Sequence, residues 1–144
     1  MDKERERAER LGYPSPIHAD KTSVDRDYDQ ALDFCLEHID CVAFCAATHN
    51  EASCARLVRA AGAADVPLTH PHIHFAQLLG MSDHISYNLA QAGFNVSKYV
   101  PYGPVRDVVP YLIRRAEENR SIAGQMGREL RLIEDEIRRR RTDG

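Results

Sequence analysis

Residues 41 to 50 read CVAFCAATHN, and their order decides the fold. Cys41 to Ala47 is a continuous apolar run of strand length without alternation, which suits a strand covered on both faces, as in a parallel sheet. Thr48, His49 and Asn50 then break the run. Asn50 stands where an N-cap belongs, so the sequence predicts a helix from Glu51 to about Ala61 that stops at Gly62.

The same alternation continues downstream. Val66 to Pro71 is loop-like, and His72 to Leu78 (HIHFAQL) reads as a second strand. Gly80 to Ser82 leads into a helix through Ile85, Leu89 and Ala92, which Gly93 ends. Asn95 to Tyr99 is a third, shorter strand, followed by a Pro/Gly turn and another helix in KYVPYGPVRDVVPYLIRRAEEN, residues 98 to 119.

Upstream, Thr22 with Asp25 predicts an N-cap, and Val24, Tyr28, Ala31, Leu32, Cys35, Leu36 and Ile39 keep helical spacing. Asp2 to Arg10 is a charged helical turn or two, closed by Gly12 and the Pro14/Pro16 pair. From Ser121 onward, Ile122, Met126, Leu130, Ile133 and Ile137 form a narrow stripe, a terminal helix expected to dock on something. Glu134/Arg138, Asp135/Arg139 and Glu136/Arg140 are acid-before-base pairs on it.

Strands separated by helices make parallel crossovers, the α/β class. A sheet of only these strands keeps two open edges. Either further strands come from elsewhere or the chain is part of a larger protein, and alone it is not expected to stand as a stable monomer.

The chain has 144 residues, 43% of them hydrophobic, and a formal net charge of -3. That suffices for one domain with a core, is too short for a complete α/β barrel, and argues against general nucleic-acid binding. Cys35, Cys41, Cys45 and Cys54 lack C-x-x-C spacing and sit in apolar segments, as buried, reduced thiols do. No apolar run approaches the roughly 20 residues that span a bilayer. The N-terminus has neither an apolar signal core nor the acid-poor composition of a transit peptide.

Polar residues gather just past the strand ends: Thr48 and His49, then Gln77, then Tyr99 and Tyr102. In open α/β sheets and barrels, ligands bind at that end. On the last of these helices, Tyr111, Arg114, Arg115 and Glu118 lie at i, i+3, i+4 and i+7 and share a face. An aromatic ring beside guanidinium groups can hold a small carboxylate, because each planar fork matches two anion oxygens. A solvated face with Arg114 paired to Glu118 is the plain alternative. His70, His72 and His74 (H-P-H-x-H) would share a strand face suited to a metal, but no further ligand cluster supports one. Arg138 to Arg141 allows an anion-binding or interaction module, against which the acid-before-base pairing favours a solvated helix end.

THN after an apolar strand, QLLGMSD, and KYVPYGPVRDVVPYLIRRAEEN, in this order and spacing, resemble the C-terminal part of the proline dehydrogenase family. ERERAERLGYPSPI is similar to the segment that follows the fifth barrel strand there, so the resemblance covers nearly the whole chain. It implies a partial (β/α)8 TIM-like barrel, with strands six, seven and eight at Cys41, His72 and Asn95, plus a C-terminal helix over 121 to 144. Residues 1 to 20 would be the linker after the fifth strand.

The resemblance further implies FAD as cofactor and oxidation of L-proline to Δ1-pyrroline-5-carboxylate, with electrons passed to a membrane quinone. Arg114 and Arg115 match the pair that binds the proline carboxylate. Tyr99 and Tyr111 match aromatic residues of the substrate pocket, and Leu78 an apolar wall. Thr48 and His49 match a contact to the adenosine portion of FAD, and Glu118 an orienting position of the family motif. The chain would act at the periphery of a bacterial inner membrane or at the mitochondrial inner membrane and matrix. The first five strands of the family barrel have no counterpart here. The sequence therefore reads as a C-terminal fragment that lacks the N-terminal barrel half, is inactive alone and holds FAD weakly; a non-catalytic remnant is the alternative.

Overall fold

The computed structural model describes residues 1 to 121 and 123 to 142, without the side chains at 116 to 129, 132 and 142. Its elements are α1 (Asp2–Leu11), α2 (Lys21–Glu37), β1 (Phe44–Ala47), α3 (Glu51–Ala63), β2 (Ile73–Leu78), α4 (Asp83–Gln91), β3 (Val96–Tyr99), α5 (Val105–Ser121) and α6 (Ala123–Thr142). The strands form one three-stranded sheet in the order β1-β2-β3, parallel throughout. The α/β alternation expected from the sequence is therefore present.

Local chemistry explains most boundaries. Gly12 ends α1 in the left-handed region at φ 70, where Tyr13 N–H donates to the Ala8 carbonyl at 3.1 Å. The cap of α2 is Asp20 and not Thr22: its carboxylate accepts from Ser23 N–H at 2.8 Å, and those bonds hold its pKa below the usual carboxylate value. Thr22 instead lies inside the helix.

Helix α3 runs through Gly62 to Ala63. The left-handed residue that allows the chain to turn away is Asp65, at φ 53, after which Val66 N–H donates to the Ala61 carbonyl at 3.0 Å. Aspartate tolerates that region better than most side chains, so glycine is not needed there. At the other end of α3, Asn50 Oδ1 accepts from Ala52 N–H at 3.0 Å, as expected. Asn50→Ala should therefore cost about 1 kcal/mol of stability, read as a lower denaturation midpoint at unchanged slope. An unchanged midpoint would show that this cap contributes nothing.

The core lies between the sheet and α2, α3 and α4. Leu32 and Leu36 from α2, Leu57 and Ala61 from α3, and Ile85 and Leu89 from α4 close on Ala46, Ile73 and Phe75. Phe75 is fully buried and meets Phe94 edge to face, with ring centroids 5.4 Å apart. Arg56 on α3 pairs with Asp33 on α2 at 2.5 Å.

Among the described residues one face of the sheet is packed along its length and the other meets only α5 at the strand ends, which corrects the expectation of a β1 covered on both. Ala46 is buried, whereas Cys45 and Ala47 are exposed. On β2, Ile73, Phe75 and Gln77 are buried and His74, Ala76 and Leu78 only half-buried; on β3, Ser97 and Tyr99 are exposed. The unbroken apolar run thus encodes a cover on the second face that these elements do not supply. It also explains why Cys45 is exposed although it sits in an apolar segment. Cys41 is exposed too, in the turn before β1; all four thiols are free.

On α6, Leu130, Ile133 and Ile137 are exposed; Ile122 and the side chain of Met126, the rest of the expected stripe, lie outside what the structure describes. Ile133 and Ile137 border an open groove opposite Tyr87 of α4. Glu136 bonds both Arg139 and Arg140 at 2.8 Å, and those bonds pull its carboxyl down to about 2.

Candidate functional site at the strand ends

The sheet register brings the ends of β1, β2 and β3 to one level: Ala47 pairs with Ala76, and Leu78 with Tyr99. All four side chains belong to the open face, because alternate strand residues point the same way. The two alanines leave space between the larger groups. The result is a pocket of about 330 Å³ lined by Ala47, His49, Ala76, Gln77, Leu78, Tyr99, Tyr111 and Arg115.

Helix α5 provides one wall. Pro110 lies within it; a proline inside a helix removes one backbone hydrogen bond and tends to bend the axis. Tyr111 and Arg115 follow one turn apart, so they share a side. The Arg115 guanidinium carbon stands 5.2 Å from the centre of the Tyr111 ring, and the Tyr99 and Tyr111 rings lie 6.2 Å apart at 66°. A cation over an aromatic face is attracted by the ring quadrupole, which steadies the guanidinium at the pocket edge.

The strand-end loops provide the opposite wall. His49 Nδ1 lies 2.9 Å from Ser82 Oγ. Gln77 is 2% exposed; its Nε2 donates to the Thr48 carbonyl at 3.2 Å, and its Oε1 accepts from Ser86 Oγ at 2.8 Å. A buried amide satisfied at both ends rigidifies what it joins. Lys98 Nζ donates to the Met81 carbonyl at 2.7 Å and pairs with Asp83 at 2.7 Å, fixing the start of α4.

Of the residues singled out in the sequence, the pocket gathers His49, Leu78, Tyr99, Tyr111 and Arg115. Thr48 stands beside it, its hydroxyl accepting from Asn50 N–H at 3.0 Å. Arg114 is exposed and does not line the pocket, because each helical step turns by about 100° and carries it past the wall that Arg115 faces. The side chain of Glu118 lies outside the described residues. Gln77 belongs to the strand-end polar group read from the sequence, though without a role of its own there; Ser82 and Lys98 are not singled out by the sequence.

Two of the three histidines are engaged otherwise. His72 Nδ1 lies 2.6 Å from the Ile39 carbonyl, and His70 Nδ1 accepts from His72 N–H at 3.2 Å. Among the described residues no group of His, Cys, Asp or Glu is placed to hold a metal ion. Burial pushes the Cys54 thiol up to about 11, so it is not a ready thiolate.

Residues 1 to 128 match the family model described as proline dehydrogenase. The chain belongs to the proline dehydrogenase family. Relatives within and beside that name include proline dehydrogenase 1, mitochondrial, of Drosophila melanogaster, 39% identical over 100% of this chain and 23% of that protein. Proline dehydrogenase 2, mitochondrial, of Arabidopsis thaliana is 41% identical over 97% of the chain and 30% of that protein. Hydroxyproline dehydrogenase of Homo sapiens is 38% identical over 100% and 32%.

The chain thus spans less than a third of the length of these curated relatives. A crystal structure of proline utilization A from Bdellovibrio bacteriovorus, inactivated by N-propargylglycine, superposes with a TM-score of 0.72 at 29% identity, over 82% of this chain and 12% of that one. The fold of this proline dehydrogenase family member is therefore an α/β arrangement of parallel strands and helices shared with that protein. Among the described residues no helix is long and apolar enough to cross a membrane.

Proposed function

We propose that the chain contributes the substrate-carboxylate clamp and part of the flavin site of an enzyme that oxidises L-proline to Δ1-pyrroline-5-carboxylate. The observation that carries this reading is the convergence of His49, Leu78, Tyr99, Tyr111 and Arg115 on one pocket at the strand ends. Arg115 offers a planar fork for the two oxygens of a carboxylate. Leu78, Tyr99 and Tyr111 offer apolar and aromatic walls for a small saturated ring.

The residues fit part of FAD and not the whole of it. At about 330 Å³ the pocket is at the small end of ligand sites. It would take an amino acid and one edge of a flat ring system, and His49 and Thr48 would be left to hold a further portion of the cofactor. When bound, FAD would supply the redox chemistry as the two-electron acceptor for the hydride of the ring carbon beside the proline nitrogen, whose N–H proton is released to solvent as the C=N bond forms. The chain's own side chains orient: Arg115 fixes the carboxylate, the aromatic walls fix the ring, and holding the reacting atoms together is worth several kcal/mol of barrier in general.

The largely uncovered sheet face and its open edges fit a catalytic unit completed by further strands, as the last three βα units of a TIM-like barrel. The relatives' names favour a mitochondrial setting in a eukaryote, with a membrane quinone as the electron acceptor at the inner-membrane periphery.

The test joins this chain to the preceding portion of the Drosophila relative, loads FAD, and adds L-proline without oxygen. Bleaching of the flavin absorbance is expected, with hydroxy-L-proline as the comparison because relatives include hydroxyproline dehydrogenases. Flavin that binds but keeps its absorbance with L-proline would overturn the reading.

A further inference from the structure

Ser82 stands where a helix N-cap belongs and does not act as one. Serine is favoured there because its hydroxyl accepts from an N–H two or three residues on; here the side chain makes no capping bond. Its Oγ lies instead 2.9 Å from His49 Nδ1, 33 residues away in sequence. The residue is 3% exposed and sits in the left-handed region, at φ 50 and ψ 42, which a residue with a Cβ enters only against steric resistance. Both local preferences, for capping and for right-handed backbone, are given up in the arrangement that puts this hydroxyl beside the imidazole.

The turn that carries Ser82 is held from several sides. Its carbonyl accepts from Ile85 N–H at 3.0 Å and Ser86 N–H at 3.2 Å. The Ser86 hydroxyl also reaches that carbonyl at 3.3 Å and Gln77 on β2 at 2.8 Å, while Lys98 on β3 holds Met81 and Asp83. Non-glycine residues held in sparse backbone regions persist where surrounding structure over-determines them, and they cluster at functional sites.

We propose that Ser82 is a positioning residue for His49. Its hydroxyl holds the ring through Nδ1, so that the imidazole keeps one orientation at the pocket wall and presents its other nitrogen in a fixed direction. The consequence for cofactor binding rests on the reading above, in which His49 meets the flavin dinucleotide.

Glycine separates this role from a structural one. Ser82→Gly relieves the left-handed strain and keeps the backbone bonds of the turn, so stability is expected to be unchanged or higher. In the enzyme containing this chain, 15N-histidine NMR should show the His49 Nδ1 signal shifting as its hydrogen bond is lost, and the FAD dissociation constant should rise about tenfold, the loss of one net hydrogen bond's worth of orientation. Ser82→Ala removes the hydroxyl but retains the strain, and should give the same ring signals with a lower thermal midpoint. Ring signals unchanged in Ser82→Gly overturn the proposal. Ring signals that move while FAD affinity stays constant leave the hold on His49 in place and overturn its assignment to the flavin.

Discussion

Replacing Arg115 by alanine in the flavin-loaded enzyme is expected to raise the KM for L-proline by roughly 30-fold to a few thousand-fold while FAD remains bound. Under the proposed reading, the range is that for losing a desolvated, bidentate anion contact, about 2 to 5 kcal/mol. Arg115 lines the pocket and stands over the Tyr111 ring, so the partner group lost is one already held in place. Lysine keeps the charge but not the planar fork, and Arg115→Lys should fall between wild type and alanine. Arg114 is exposed, so Arg114→Lys should raise KM less. Steady-state kinetics with a dye acceptor measure all three, and an unchanged KM in Arg115→Ala would remove this residue from the substrate site.

The largest stability effect is expected at Phe75. Truncating a fully buried phenylalanine to alanine costs about 3 to 5 kcal/mol through lost transfer energy and the cavity left behind. Phe75 is 0% exposed and packs edge to face on Phe94, and it joins the middle strand to the helices on the covered face. Since domains are stable by only about 5 to 15 kcal/mol, Phe75→Ala in the enzyme containing this chain should lose most of its cooperative melt. Phe34, 58% exposed on α2, serves as control, with an expected change within about 0.5 kcal/mol. Similar midpoints for the two alanine variants would refute this assignment of the core.

Much of the fold was legible because its signals are local. The apolar strand followed by Asn50, the periodicity of α2 and the left-handed Gly12 each act within a few residues, and each appears where the sequence predicts it. Misplaced details had competitors of similar strength nearby: Asp20 stands two residues before Thr22 and caps better, and Asp65 takes the left-handed turn expected of Gly62. The candidate site was legible in part for a different reason. Helical spacing nominates Tyr111 and Arg115, strand-end position His49 and Tyr99, and the family resemblance Leu78, but their convergence depends on strand register. Gln77, Ser82 and Lys98 act through partners between 9 and 33 residues away, and spacing within one helix or strand carries no trace of such bonds. Arg114 shows the converse limit, since a shared helical face is broad enough to hold residues that turn to different surroundings.

The pairing of Ala47 with Ala76 has one further consequence under the proposed reading. The residues that would touch substrate most chemically, a guanidinium and two phenols, decide how a ring is oriented once inside. What decides which rings enter is the room left by two methyl groups, the smallest side chains on that wall. Selectivity for a compact ring would then reside in two positions with no polar atoms beyond the backbone, and a change of substrate size could begin there without touching any group that binds charge.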